Sequence, residues 1–416
     1  SIKPHTAPGL SGWTKELMSW FLDFGSATVK AFVVGYMNAM LDLTLSPKSL
    51  SFSCNSFLFA LYKEAPDIRP VSIPCFLNKM AWKLAWKKVP DIFNHLSVQL
   101  GLGTKGGCQA TVFTIQTALY EGKVVIALDA TNGFNSIHRD SFLKPFFKDP
   151  QYRPLWPLLH LNYKHLTYAV TADGTRILVD RGGKQGCVEV SHAFALGLAD
   201  MVNYIPEDDG VSYCQIVDDV FAIVDPALYN IEYLWQIINN MDAMLHHKGL
   251  TLKHSKTRIF CNPGISLPAN LEGFREKGIA AKCLGAVLHL AAHRDDRLEE
   301  VTAMIQQKVE KKLQPFQTFD ELNVDLHYQH VIFQSSTIPS LEYTLTSSWA
   351  CHLHHPLVPE EVHAHRPGRH PVQGLQPTHQ GAPLLSTPRR WWIGPSLLRA
   401  YSLPSPSSVP QHDGAR

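Results

Sequence analysis

Three aspartates carry the chemistry that this sequence is able to do. Asp129 ends a run of apolar residues, Val124-Val125-Ile126-Ala127-Leu128, and leads into Ala130-Thr131-Asn132-Gly133-Phe134-Asn135-Ser136. Asp218 and Asp219 sit side by side inside a second apolar run, Ile216-Val217-Asp218-Asp219-Val220-Phe221-Ala222-Ile223. Adjacent carboxylates between apolar strands repel each other and bury poorly, so a fold that keeps them needs a counter-charge. A pair of divalent cations supplies one, and such cations work on phosphoryl oxygens. Nucleotidyl transfer is the reaction for which the set is suited. The plainer alternative for Asp218-Asp219 is a polar hairpin tip, since Asp is common in turns.

Strands must present those carboxylates, and helices must back the strands. Residues 124–128 read as a buried strand and 216–223 as an apolar hairpin with two carboxylates at its tip. Residues 12–43 read as helical, and 58–62 lead into a strand at Arg69-Pro70. A second helix is expected over 76–88. Gly106-Gly107 opens a third, with Val112, Ile115 and Leu119 on its apolar face. Between Thr167 and Val179 two short strands flank Asp173-Gly174, a hairpin signal. Phe194, Leu198 and Val202 mark the next helix, and further helices are expected over 231–247, 298–313 and 324–346.

A chain of 416 residues, 45% hydrophobic, can bury a core of two or three subdomains. Its net charge of +2 neither demands nor excludes a nucleic-acid partner. Lys79, Lys83 and Lys87, with Lys88 beside them, recur at helical spacing and would line one helix face, for phosphates or simply for solvent. Eight cysteines without a C-x-x-C pair indicate neither a zinc site nor a disulfide framework, and fit a reducing, intracellular setting. No apolar run reaches about 18 residues, so no membrane span is expected. The chain starts at Ser1 without a signal-peptide layout and is expected to be a fragment of something longer.

Four more segments stand around the aspartates. Ile68-Arg69-Pro70-Val71-Ser72-Ile73 lies upstream, and Gly182-Gly183-Lys184-Gln185-Gly186-Cys187-Val188 lies between the two acidic sites. Gly249-Leu250-Thr251-Leu252-Lys253-His254-Ser255-Lys256-Thr257 and Lys282-Cys283-Leu284-Gly285 follow. In this order and spacing the set resembles the reverse transcriptase domain over roughly residues 55–345. The phrase from Asp129 through Phe134-Asn135-Ser136 to Arg139 is most similar to non-LTR retrotransposons, especially site-specific elements with a restriction-like endonuclease.

The resemblance implies an α+β right-hand polymerase fold with fingers, a palm built on an antiparallel sheet, and a helical thumb. Its divisions here would be 1–118 for N-terminal helices and fingers, 119–297 for the palm, 298–350 for the thumb, and 351–416 for a disordered or frameshifted tail. It implies an RNA-directed DNA polymerase using two Mg2+ (or Mn2+), with an RNA template, a DNA primer and dNTPs as partners and no membrane. In a eukaryote the setting would be the nucleus. Asp129 and Asp218 would be the shared metal ligands, and Asp219 would orient a metal or the primer end. Phe134 would gate the sugar of the incoming nucleotide, or else be a core phenylalanine. Gln185 and Gly186 would let the backbone approach the nucleotide closely. Arg69 and Lys63 would hold the triphosphate. Lys256 would sit near the departing pyrophosphate as a proton donor, or be a surface lysine before a strand. The family commonly follows this glycine with Asp-Pro. Here Cys187-Val188 and then Glu189-Val190-Ser191 follow, which puts full activity in question.

Other readings compete. Gly101-Leu102-Gly103-Thr104-Lys105-Gly106 fits G-x-G-x-x-G, the fingerprint of a dinucleotide-binding oxidoreductase, but the acidic residue expected about 20 positions on falls at Glu121, before the strand. Viral RNA-dependent RNA polymerases also pair an Asp with an Asp-Asp hairpin, yet place a second Asp where Phe134 stands. An inactive, decayed remnant is the third alternative. From Cys351 the sequence is rich in Pro, His and Arg and contains no Lys, a composition that cannot offset its ordering entropy. His352, His354, His355, His363 and His365 are therefore not expected to form a metal site.

Overall fold

The two periodicities of the sequence resolve, in the computed structural model, into three small sheets packed among helices. The structure describes residues 6–62, 68–89, 98–164, 167–202, 210–291, 298–321 and 325–349, all within one compact unit. Lys63 and the whole tail from 351 lie outside the described residues.

The expected helix over 12–43 is two helices, α1 (Lys15–Phe24) and α2 (Ala27–Leu41). Gly25-Ser26 divides them: Gly25 donates its N–H to the Phe21 carbonyl, and the Ser26 hydroxyl caps α2 by accepting from Val29. A third helix, α3 (Pro47–Cys54), starts the same way, with Ser46 as cap and Pro47 in the first turn. Strands β1 (Ser56–Tyr62) and β2 (Ile68–Pro74) then pair antiparallel, and α4 (Phe76–Trp86) and α5 (Gly107–Tyr120) follow. The chain continues through β3 (Val124–Leu128), the short α6 (Gly133–Ser136), α7 (Arg139–Lys148) and α8 (Trp156–Tyr163). Next come β4 (Thr167–Val170) and β5 (Arg176–Val179), the hairpin marked by Asp173-Gly174, and α9 (Val188–Val202). β6 (Val211–Ile216) and β7 (Asp219–Val224) form the acidic hairpin, followed by α10 (Leu234–His247) and β8 (Arg258–Phe260). β9 (Ala280–Cys283) and β10 (Ala286–His289) make a separate hairpin. The chain then runs through α11 (Leu298–Glu321), longer than its apolar stripe foretold, α12 (Leu326–Ile332) and α13 (Ile338–Trp349).

The sheet that matters most has strand order β6-β7-β3-β8, antiparallel throughout. A dinucleotide-binding unit needs parallel strands joined by crossover helices, and this antiparallel sheet, which holds β3, gives that alternative no scaffold. β3 is buried on both faces, and its alternation sorts the core. Val124, Ile126 and Leu128 join the cluster that contains Phe194, Ile238 and Leu252. Val125 joins the opposite cluster with Ile115, Phe221 and Leu288. The other four-stranded sheet, β2-β1-β4-β5, carries the upstream hairpin.

Among the described residues the cysteines are free, and all but Cys108 are buried. Burial pushes the Cys54 and Cys214 thiols up to about 12 from an ordinary 9.0, and raises Cys187 and Cys283 as well. Folded values above unfolded ones mean that this stability is intact below pH 9 and is lost as pH rises from 9 toward 12. The melting temperature should therefore fall steadily between pH 8.5 and 10.5, and fall less steeply in Cys54→Ala. A flat profile would show that these thiols ionise inside the fold at little cost.

Candidate active site

Strand parity decides where the carboxylates go. On β3, Asp129 continues the face of Val125 and Ala127; on β7, Asp219 continues the face of Phe221 and Ile223. Leu128 pairs with Val220, so the next step of the ladder sets Asp129 opposite Asp219 on one face of the sheet. All three aspartates are half-buried. The thiols of Cys108 and Cys283 lie within the field of Asp219, which adds to burial in holding both above the usual thiol range. The Asp129 carboxylate faces the Lys256 ammonium at 3.2 Å. Lys256 is delivered by the turn before β8, whose register against β3 is tied by Lys253 donating to the Asp129 carbonyl (2.8 Å) and Thr131 donating to the Thr251 carbonyl (2.9 Å). Among the described residues no three His, Cys, Asp or Glu side chains are gathered into a metal-binding cluster.

The tip of the acidic hairpin is strained. Ile216 pairs with Asp219, which leaves Val217-Asp218 as a two-residue turn, and Val217 has φ of 56°. That conformation costs a β-branched residue about 1–3 kcal/mol and persists only where its surroundings hold it. Two buried glutamines do so. Gln99 accepts through Oε1 from the Val217 N–H (3.1 Å) and the Gly101 N–H (2.7 Å). Gln215 donates through Nε2 to the Val217 carbonyl at 2.7 Å. Their backbones are joined too, by Gln215 donating to Val98 (2.7 Å) and Leu100 donating to Gln215 (2.9 Å). A Cβ on Gly101 would come to 3.0 Å from the Val217 nitrogen and Cγ2. Close packing against this hairpin explains the first glycine of the G-x-G-x-x-G segment. Sequence reading missed both glutamines. Gln215 stands three positions before Asp218, but only the folded chain brings Gln99 there.

Phe134 follows on α6, half-buried, with its ring 4.7 Å from that of Phe194. Its carbonyl accepts from Gly183 at 2.7 Å, which sets the Gly182–Gly186 loop against the turn after Asp129. Arg139 fixes the same loop from behind, donating to the carbonyls of Val179 (2.6 Å), Gly182 (3.3 Å) and Tyr163 (3.3 Å). Gln185 is half-buried, and its carbonyl accepts from Ser72 of β2 at 2.7 Å. Gly186 has φ of 105°, and a Cβ there would lie 2.5 Å from the Ser72 carbonyl oxygen. Only glycine fits that approach. Arg69 stands exposed on β2, the strand that the loop touches.

The unusual Cys187-Val188 is accommodated locally. Val188 is the first residue of α9, a position that proline favours for its φ but that other residues can fill. Glu189, in the first turn, is buried and accepts from the Tyr163 hydroxyl at 3.1 Å. Burial raises its carboxyl above the ordinary range against the opposing pull of Lys184, whose ammonium donates to the Cys54 carbonyl.

One aspartate from a central strand and two from the adjoining hairpin thus stand at one end of an antiparallel sheet backed by helices. The model of the reverse transcriptase (RNA-dependent DNA polymerase) family matches residues 61–321. The chain belongs to that family. It is 23% identical over 364 residues to the retrotransposable element SLACS 132 kDa protein of Trypanosoma brucei gambiense, an alignment covering 84% of this chain and 28% of that relative. This chain thus spans little more than a quarter of that curated relative. Among solved structures it is similar to apo telomerase from Candida tropicalis, at 10% identity and a TM-score of 0.44, covering 68% of this chain and 56% of that one. It is also similar to telomerase from Candida albicans in complex with a fragment of telomeric RNA, at 11% identity and a TM-score of 0.43, covering 73% and 61%. No helix of the described residues is long and apolar enough to cross a membrane.

Gln99→Ala would leave two half-buried N–H groups without this acceptor, at a cost toward the low end of about 1–3 kcal/mol each. Stability should drop by that order, and the rate of primer extension should drop more than tenfold because the turn carrying Asp218 loses its support. An unaltered rate at a temperature where the variant stays folded would remove Gln99 from the site.

Proposed function

We propose that this chain is the reverse transcriptase domain of a non-LTR retrotransposon, copying RNA into DNA from a primer 3′-hydroxyl. The observation that carries the reading is the shared face of Asp129 and Asp219, with Asp218 on the turn between β6 and β7. The retrotransposon origin is supported by the similarity to the SLACS protein. Residues 1–118 would be N-terminal helices and fingers, 119–297 palm and 298–350 thumb. A nuclear site of action, RNA template, DNA primer and dNTPs belong to the same reading.

By type the donors suit magnesium: the carboxylates of Asp129, Asp218 and Asp219 would supply hard oxygen ligands, although they are not gathered into a cluster in this structure. Asp129 and Asp218 would be shared ligands, and Asp219 would orient a metal or the primer end. Two Mg2+, when bound, neutralise these carboxylates, lower the barrier to ionising the 3′-hydroxyl and stabilise charge on the leaving pyrophosphate. The rest is work for side chains. Lys256, whose ammonium lies 3.2 Å from the Asp129 carboxylate, would protonate the departing pyrophosphate. Phe134 would close against the C2′ side of the incoming sugar, braced by Phe194. The Gln185-Gly186 backbone would lie along the nucleotide, and Arg69 on β2 would take its phosphates. Lys63 belongs to the same proposed set.

Of the features behind the inactive-remnant alternative, Cys187-Val188 is the one on which the described residues bear: α9 starts at Val188 with Glu189 accepting from Tyr163, which favours an intact loop. Primer extension by the purified chain, with an RNA template, dNTPs and Mg2+, separates the two. Extension is expected, and none under any divalent cation would favour the remnant.

Asp129→Asn and Asp218→Asn should each abolish extension with little loss of folding, since removing one charge relieves repulsion in the cluster. Near-normal Mg2+-dependent activity in either would disprove the site. Phe134→Ala should raise ribonucleotide relative to deoxyribonucleotide incorporation by about tenfold to several hundredfold, the equivalent of about 1.4–3.5 kcal/mol. The ratio of kcat/KM for matched rNTP and dNTP measures it, and an unchanged ratio would make Phe134 a packing residue only.

A further inference from the structure

A groove of about 920 Å3 opens between α7 and α10, and of its lining residues only Arg139, which braces the Gly182–Gly186 loop, takes part in the site described above. Lys144 and Lys148 line it from α7 and Lys248 from the end of α10, with Arg139 at its root. The one carboxylate in the lining is Asp140, which pairs with Lys144 at 3.4 Å. Four cations against one anion leave a formal charge of +3 on this small surface, more than the +2 of the entire chain. That concentration marks the groove as an anion site rather than an average stretch of solvated surface.

We infer that this groove holds the phosphodiester backbone of a nucleic-acid strand as a second contact, apart from the catalytic centre. Its walls are fixed in advance. His138 donates its N–H to the Lys248 carbonyl at 2.8 Å, and Gly249 lies so close to the His138 ring that a Cβ would come within 2.3 Å. Arg139 is turned onto three main-chain carbonyls and acts as a strut rather than a contact. The N-terminus of the ten-residue α7 has no side-chain cap, and its first turn lines the groove, adding the positive end of the helix dipole.

The chemistry favours a backbone over a base or a free nucleotide. Lys144 and Lys148 stand one turn apart, about 6 Å along the helix, so they can meet successive phosphates of one strand. Lysines are point charges, suited to sequence-independent phosphate contacts. No Phe, Tyr or Trp lines the groove to stack a base, and of its two histidines His138 is packed against Gly249. The walls also lead directly to the catalytic residues, since α7 follows the turn after Asp129 and Lys248 precedes the turn that carries Lys256. A strand held here would approach the reacting end from a fixed direction.

The inference rests on the proposed handling of nucleic acid but not on polymerase activity, so the two can fail separately. The test is binding of labelled single-stranded RNA and DNA oligonucleotides to the full chain between about 50 and 200 mM salt. Lys144→Ala, Lys148→Ala and Lys248→Ala combined should weaken both by about tenfold or more. The slope of log affinity against log salt should become shallower by about 0.7 for each lysine that meets a phosphate. Asp140→Asn should tighten binding. Single-nucleotide insertion at saturating primer-template should be unchanged in these variants if the wild type extends primers. Unchanged affinity and slope in the triple variant would overturn the inference. So would full displacement of the oligonucleotide from the wild type by free dNTPs, which would make the groove a nucleotide site.

Discussion

The site depends on one constraint, the register of β3 between β7 and β8. Side chains alternate along a strand, so a slip of one residue would turn Asp129 into the opposite core and bring an apolar side chain beside Asp219. Burial on both faces makes such a slip costly, because Val124, Val125, Ile126 and Leu128 would all exchange partners. The apolar strand is therefore the device that aims the carboxylate. The flanking bonds from Lys253 and Thr131 to the segment before β8 fix the same register at its open end, where Lys256 meets Asp129.

A second demand falls on the hairpin tip. Placing Asp218 and Asp219 at the end of a tight turn forces Val217 into a backbone conformation that valine resists. The protein meets this with two buried amides, one on each side of the Val217 peptide unit, and with glycine at 101 so that the segment carrying Gln99 can approach. The Gly182–Gly186 loop follows the same logic: glycines bring backbone against backbone, while Arg139 and the Lys184–Glu189–Tyr163 group hold the loop from inside. Rigid support around a strained tip is what a site needs when carboxylates must stay in place despite mutual repulsion.

Much of this was legible in the sequence, unevenly. The acidic strand and hairpin, the helix from Gly107 and the Asp173-Gly174 turn were visible because local period and turn chemistry specify them. The G-x-G-x-x-G segment was ambiguous, since close backbone approach serves a pyrophosphate and a neighbouring hairpin equally well. What could not be read were partners distant in sequence: Gln99 to Val217, Arg139 to Val179, Glu189 to Tyr163. The division of residues 12–43 at Gly25-Ser26 was missed because the apolar pattern runs on through it, although Ser26 is a capping residue by type. The residue types at Phe134 supported two roles, and its half-buried ring against Phe194 is compatible with contact on either side.

On the proposed reading, Asp129 and the Asp218-Asp219 tip would form one divalent-metal site. Iron-directed cleavage tests it most directly: Fe2+ replaces Mg2+, and ascorbate with peroxide cuts the backbone beside the bound iron. Paired cuts are expected near residues 129–131 and 217–219, both suppressed together by excess Mg2+ and both lost in Asp129→Asn. Cuts at only one of these segments, or cuts indifferent to Mg2+, would contradict it.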